Sequence, residues 1–272
     1  MQPILGRDNL LTRSTEFWRP PSFQPPTTRG ARLAAAGRRM LDLQAASIWN
    51  DLSRMLRHCE GTVLDVGCGA QPYRGLFGPS VRYKAIDTAE ALEHFGYQTP
   101  ETQYITGDVW PVDDASVDVV FSTETLEHVS QPRRFLDEAR RALKPGGLLI
   151  LTVPFAARWH YIPHDYWRFT PSGLATLLAP AGFTDIAVYA RGNELTVACY
   201  KAMALILPLL AARGESPIVT MLRRIVGVAL SPVLIALAAV GQWSLRSRGG
   251  NDCLGYTVVA SASDRPAGED RR

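Results

Sequence analysis

A chain of 272 residues with 46% hydrophobic and 20% charged residues is globular, and its length suits one generous domain with appendages; a disordered or fibrous polymer is excluded. The net charge of +3 is too small for a surface that grips nucleic acid by its phosphates, so no nucleic-acid partner is expected. Four scattered cysteines (Cys59, Cys68, Cys199, Cys253), with no CxxC pair and no zinc spacing, fit a reducing cytoplasm.

Residues 1–30 read as a proline-rich arm, with Pro20, Pro21, Pro25 and Pro26 among several arginines. The arm holds no apolar core of signal-peptide length, so the catalytic part is expected in the cytoplasm. From 31 to 58, Leu33, Met40, Leu41, Ile48, Leu52, Met55 and Leu56 recur at helical spacing, which predicts one amphipathic packing helix. Strands follow at 62–66, 83–86, 104–106, 117–122, 148–153 and 185–189, with helices over 132–143 and 171–181 and a turn at Pro145-Gly146-Gly147. Near-continuous apolar strands separated by helices predict a parallel sheet covered on both faces, a doubly wound α/β domain. Residues 195–250 are dominated by Ala, Leu, Ile and Val, and 255–260 (GYTVVA) return as a strand. The division expected is therefore an arm (1–30), a catalytic domain (31–194 with 251–262) and an apolar helical insert (195–250).

The sharpest motif is Val63-Leu64-Asp65-Val66-Gly67-Cys68-Gly69. Glycines directly after a buried strand let the backbone turn tightly and let a ligand approach the main chain. Asp65 lies two residues before the first glycine, where a carboxylate can face an ammonium; a diphosphate would gain nothing there. Asp87 ends the next strand, twenty-two residues on, placed for two ribose hydroxyls. Asp108 ends the third strand, placed for an adenine amino group. Three acids at successive strand ends outline a ligand with an adenosine and an ammonium but no phosphate, which describes S-adenosylmethionine.

These residues also carry a family resemblance. VLDVGCG, AID, Gly107-Asp108, the run from Phe121 to Val129 (FSTETLEHV) and Leu143-Lys144-Pro145-Gly146-Gly147 resemble the class I S-adenosylmethionine-dependent methyltransferases of the type 11 group, over about 60–190 plus the last strand. The resemblance implies a Rossmann-like, mostly parallel sheet whose last strand is antiparallel. It also implies that Asp65, Gly67, Cys68 and Gly69 line the methionine end, Asp87 the ribose, Asp108 and Val109 the adenine, and that Thr123 contacts the cofactor. No third glycine follows; Ala70-Gln71-Pro72 stand there, with Pro72 acceptable in a first helical turn.

Methyl transfer from a sulfonium is an in-line displacement, and a base is required only for a poorly ionised acceptor. His128, near Glu124 and Glu127, either deprotonates an acceptor or packs and caps. Glu124, Glu127 and His128 on one segment are thin grounds for a metal, and none is expected. Members of the family from bacterial surface-polysaccharide and lipid-modifying settings have an HDYWRFT-like run, here His164 to Thr170 with His160 and Tyr161 before it. His164 is the first choice for a base, with Asp165 beside it; the plainer reading anchors the loop by Tyr166, Trp167 and Phe169 and pairs Arg168 with Asp165.

The insert holds an uncharged run at 202–212 and a longer one at 225–245, flanked by Arg223, Arg224, Arg246 and Arg248. The second reaches the ~20 residues of a bilayer span, yet the final strand must return to the same side, and Pro208 and Pro232 interrupt long helices. A hairpin in the cytoplasmic interface of an anionic membrane is the leading expectation, with the enzyme peripheral or monotopic at the inner face of the cell membrane. A homodimer interface is the alternative. The activity expected is O-methylation of a lipid-linked sugar, polyprenyl or other membrane-proximal acceptor. A soluble small-metabolite methyltransferase and an inactive cofactor-binding scaffold are the competing readings.

Overall fold

A computed structural model describes residues 10–13, 28–96, 98, 99, 101–210 and 216–264. Most of the proline-rich arm thus lies outside the described residues. Seven strands form one sheet in the order β3-β2-β1-β4-β5-β7-β6: β1 Thr62–Val66, β2 Arg82–Thr88, β3 Thr102–Ile105, β4 Val117–Thr123, β5 Leu143–Pro154, β6 Phe183–Arg191 and β7 Gly255–Ala262. The first five are parallel, and β7 runs antiparallel between β5 and β6. The order reverses between β1 and β4, so a crevice opens beyond their carboxyl ends, where ligands of open α/β sheets bind.

The strands are legible because their alternate residues enter two different cores. Leu64, Val66, Val120, Leu149 and Leu151 pack on one face of the sheet with Phe135, Leu136 and Leu174 from α4 (Pro132–Ala142) and α5 (Pro171–Leu178). Val63, Val119, Phe121 and Ile150 face the other side, against Ile48, Leu52 and Leu56. At ~1.5–3 kcal/mol per fully buried aliphatic or aromatic side chain, these two layers dominate the folding energy.

Three local features depart from the sequence expectation. The helix expected over 31–58 is broken into α1 (Arg29–Leu41) and α2 (Leu43–Met55), because the Asp42 side chain leaves the helical run and accepts the Ala45 N–H as an N-cap. No α-helix follows β1; among the described residues that crossover holds only a 3-10 turn, Arg74–Leu76. Gln71 there takes φ +55°, outside the right-handed helical region, immediately before Pro72. The Pro145-Gly146-Gly147 turn is absorbed into β5 as an irregularity, the register jumping from Val117↔Leu143 to Val119↔Leu148. As its proline led one to expect, the long apolar run is divided at Ser231-Pro232 into α7 (Pro217–Ala229) and α8 (Ser231–Ser244), bent by 51°.

No single helix among the described residues is long and apolar enough to cross a membrane. The insert is not detached from the domain. Its first helix, α6 (Glu194–Leu210, with Pro208 in its last turn), and α8 bury Val197, Met203, Ile206, Leu234 and Ala238 against Leu43 of α2 and Leu254. Gly241 lets α8 approach that close, since a Cβ there would stand 2.5 Å from the Leu43 side chain.

Candidate active site

At the end of β1 the chain turns through Gly67 (φ +68°) and Gly69 (φ +53°), a left-handed backbone that side chains disfavour. Space demands glycine as well: a Cβ on Gly67 would lie 2.4 Å from the Thr125 side chain. The Gly67 N–H donates to the Ile86 carbonyl at 2.9 Å. The Asp87 carboxylate accepts from the Gly69 N–H and the Thr88 N–H, each at 2.8 Å. Those two bonds occupy about half of a carboxylate's roughly four lone-pair positions. Asp87 therefore fixes the glycine turn from the adjoining strand, and it is itself buried.

Asp65 is 1% exposed. Its Oδ2 accepts from the Tyr83 hydroxyl, while Oδ1 is buried without a partner among the described residues. Burial pushes this carboxyl up to about 7, against the opposing Tyr83 bond and helped by the charge of Asp87. Burial and the neighbouring Asp65 likewise raise the Cys68 thiol, so Cys68 offers a small inert side chain and its backbone. Thr123 ends β4, and its carbonyl accepts from Thr125 Oγ1 at 3.0 Å. Asp108 and Val109 stand on the exposed loop after β3, Val109 at 74% exposure and Asp108 beside Arg134 at 3.3 Å. The glycines, Asp65, Asp87 and Thr123 are thus brought together, whereas Asp108 and Val109 form the rim.

The loop after β5 is sewn onto the 3-10 turn Leu126–His128 that follows β4. The Glu127 carbonyl accepts from Tyr166 N–H at 2.8 Å and Trp167 N–H at 3.3 Å, and Trp167 Nε1 donates to the Val129 carbonyl at 2.9 Å. Asp165 has a side chain only 1% exposed. It accepts from both terminal nitrogens of Arg168 at 2.7 Å, from the His160 backbone at 3.0 Å, and lies 3.1 Å from His160 Nδ1. Although burial opposes it, the bonds from Arg168 and His160 hold the Asp165 carboxyl well below the ordinary range. Asp165 is therefore positioned as the loop's anchor. His128 Nδ1 lies 2.8 Å from the His164 carbonyl, an acceptor, so Nδ1 carries the proton and Nε2 the lone pair. Burial, then the nearby His160, lowers His128 to about 4, which keeps it neutral at physiological pH. His164 is exposed, with Nδ1 3.3 Å from the Tyr166 hydroxyl; of the two expected bases it has the freer side chain.

Two features escaped the sequence reading. Arg191, at the end of β6, is buried and donates to Glu124 Oε1 at 2.7 Å, to the Val153 carbonyl at 3.0 Å and to Ser47 Oγ at 3.2 Å. Its partner Glu124 stood in the sequence only as an acid near His128, and nothing local signals a mate 67 residues away. Tyr83 as the cap on Asp65 was equally silent, although its place in β2 was legible.

Residues 64–151 match a methyltransferase domain family. An uncharacterized methyltransferase of Mycobacteroides abscessus is 38% identical over 134 residues, 39% of this chain and 52% of that protein. A Mycobacterium tuberculosis protein named a probable S-adenosylmethionine-dependent methyltransferase is 30% identical over 191 residues, 62% of this chain and 67% of its own. A ubiquinone biosynthesis O-methyltransferase of Cereibacter sphaeroides is 29% identical over 167 residues, 52% of this chain and 68% of that one. Among solved structures, a Thermotoga maritima S-adenosylmethionine-dependent methyltransferase superposes with a TM-score of 0.51 at 15% identity, over 85% of this chain and 97% of that one; this likeness concerns the fold. The match to the M. abscessus protein spans about half of that relative's length.

The sheet order with its antiparallel β7, the glycine turn after β1 and the acid ending β2 define a class I, Rossmann-like nucleoside-binding fold. Within that class, the chain belongs to the S-adenosylmethionine-dependent methyltransferases, and S-adenosylmethionine is its cofactor. The residues fit that group: Oδ1 of Asp65 is a buried acceptor without a donor, and the Gly67 turn leaves backbone where a Cβ would clash. The cofactor supplies a methyl group on a sulfonium. Asp65 and the glycine turn would hold the amino-acid end and Asp87 the ribose, which fixes the direction from which an acceptor approaches.

Proposed function

We propose that this protein transfers the methyl group to an oxygen of a lipid-linked sugar, polyprenyl or other membrane-proximal acceptor, working as a peripheral or monotopic enzyme at the inner face of the cell membrane. The observation that carries this reading is the apolar face of the bent α7–α8 pair. Ile218, Met221, Ile225, Val228, Ile235 and Trp243 are each at least 55% exposed. A soluble monomer rarely leaves so much contiguous apolar surface in water. Arg223 and Arg224 lie within α7, Arg224 beside Met221, Ile225 and Val228, and Arg246 and Arg248 follow the end of α8; cations so placed suit a helix held at an anionic headgroup layer. Oxygen as the methylated atom is supported by the similarity to the ubiquinone biosynthesis O-methyltransferase. His164, exposed on the loop sewn to the β4 turn, is the side chain proposed to take the acceptor's proton.

Vesicle flotation tests the reading. The protein should rise with phosphatidylglycerol vesicles and much less with phosphatidylcholine, and Ile225→Glu with Trp243→Glu should abolish the association while S-adenosylhomocysteine binding persists. A protein that stays at the bottom of the gradient and forms a soluble dimer dissociated by the same pair of substitutions would establish dimerisation as the use of this face.

A further inference from the structure

Glu127 is an expensive residue as the structure stands. Its side chain is fully buried, and neither carboxylate oxygen has a hydrogen-bond donor among the described residues. A carboxylate withdrawn from water without a partner is destabilising by several kcal/mol, so such a group is retained where something else completes it. What faces it is nitrogen. His128 Nε2 lies 3.5 Å from Glu127 Oε1, and the His128 and His160 rings meet edge to face with centroids 4.8 Å apart. One donor atom from each of Glu127, His128 and His160 lies within 4.8 Å of the other two.

Both imidazoles are prepared for the same task. His128 spends its Nδ1 proton on the His164 carbonyl at 2.8 Å. His160 places Nδ1 3.0 Å from the Arg158 carbonyl and 3.1 Å from Asp165. The partner of His128 is an acceptor, and the two acceptors stand nearer His160 Nδ1 than Arg168 Nη2 does at 3.5 Å, so in each ring the proton sits on Nδ1 and Nε2 keeps its lone pair. Backbone carbonyls and carboxylates that fix histidine in this tautomer are the usual outer partners of metal-binding imidazoles. The nearest cation, Arg168, is matched by its two 2.7 Å bonds to Asp165.

We propose that Glu127, His128 and His160 bind a divalent first-row transition cation, zinc above all, in a two-histidine, one-carboxylate site between the β4 turn and the β5 loop. Imidazole with a single carboxylate selects zinc and its neighbours over magnesium, which prefers oxygen. Tetrahedral zinc with bonds of about 2.0–2.2 Å puts its ligand atoms about 3.4 Å apart. The His128–Glu127 pair already stands at that spacing, and side-chain rotations that shorten the remaining separations, within 4.8 Å, by up to about 1.4 Å bring in the third donor. Side-chain exposures of 16% at His128 and 32% at His160 give the ion a route in, while Glu127 forms the closed floor. Three protein ligands leave a position for water or for an acceptor oxygen, whose acidity the ion would raise. The site goes beyond the proposed acceptor reading and does not depend on it. The sequence showed Glu127 and His128 on one segment; His160 reaches them only because the β5 loop folds back.

The test uses the full chain, stripped with chelator and titrated calorimetrically with zinc chloride alone, then with cobalt chloride followed by visible absorption. One equivalent should bind, with a cobalt spectrum of four- or five-coordinate geometry. Glu127→Gln, which keeps the shape and removes the charge, and His160→Ala should each weaken zinc by at least tenfold. Asp165→Asn, acting through His160, should weaken it about 10–100-fold. S-adenosylhomocysteine binding and the thermal transition of each variant report that it is folded. Binding that survives Glu127→Gln and His160→Ala, or that falls equally in His58→Ala at the exposed surface, would overturn the site. Absence of zinc binding to the folded wild type, or a preference for magnesium over zinc, would overturn it as well.

Discussion

With Asp65 facing the ammonium of the cofactor, its burial predicts that cofactor binding releases a proton. In the free protein, burial holds this carboxyl at about 7 instead of the ordinary 3.8. An ammonium brought against Oδ1 favours the charged form and returns the group toward its ordinary range. About three pKa units of linkage correspond to ~4 kcal/mol of differential interaction between the two protonation states. A group of pKa about 7 is about nine-tenths protonated at pH 6 and half protonated at pH 7. Binding should therefore release about 0.9 proton at pH 6 and about 0.5 at pH 7, and apparent affinity should rise about fivefold across that interval. Calorimetric titration with S-adenosylhomocysteine in two buffers of different ionisation enthalpy measures the released proton directly. Asp65→Asn is the control: it cannot ionise, so the pH dependence due to this site should vanish even though affinity falls. Zero proton release by the wild type, or an unchanged release in Asp65→Asn, refutes the assignment of Asp65 to the ammonium. Stability has a matching sign. Because the folded pKa is raised, the contribution of this group to the stability of the free protein is fully present below about pH 4 and lost as pH rises through 7, and ligand should offset that loss.

Three further outcomes follow from named contacts. Gly67→Ala should destabilise the fold by about 2–5 kcal/mol, combining left-handed backbone strain with the collision against Thr125, and should depress S-adenosylhomocysteine binding in parallel; a melting curve superimposable on wild type would contradict the geometry. Glu124→Ala strands the buried Arg191 guanidinium and should reduce urea-unfolding stability by about 3–5 kcal/mol, with Glu124→Ala/Arg191→Met recovering part of the loss; additive losses in the double-mutant cycle would mean that the pair is not coupled. His164→Ala should leave S-adenosylhomocysteine affinity unchanged and lower turnover about 10²–10⁴-fold if the acceptor needs deprotonation; undiminished turnover at every pH removes His164 as the base.

The parts of this molecule that were legible in its sequence are those whose determinants are local. β1 is five consecutive buried residues ended by a glycine that backbone angle and space both require, and β7 announced itself as an isolated β-branched run. The acids Asp65 and Asp87 could be placed because parallel strands align their ends. What was not legible depends on chain segments meeting. α1 and α2 separate because one short side chain, Asp42, captures a backbone N–H, a choice that helical periodicity does not record. The absent helix after β1 turned on the left-handed Gln71 before Pro72, although a proline in that place also suits a first helical turn. Arg191 carried no signal in the sequence, and only the fold shows it closing over Glu124 and Ser47.

The position of β7 also dictates an order of events at the ribosome. This strand lies between β5 and β6, and among the described residues β6 hydrogen-bonds to no other strand. While the 64 or so residues after Arg191 are being made, β6 has nothing to pair with and the apolar edge of β5 is bare. At about 5–20 residues per second that interval lasts roughly 3–13 s. The apolar helices emerge during the same interval, before the sheet that carries them is closed. A nascent chain in this state offers two unpaired edges and an oily hairpin at once, so the speed at which β7 arrives, or the surface that meanwhile shelters α7 and α8, governs how much of the protein reaches its final form.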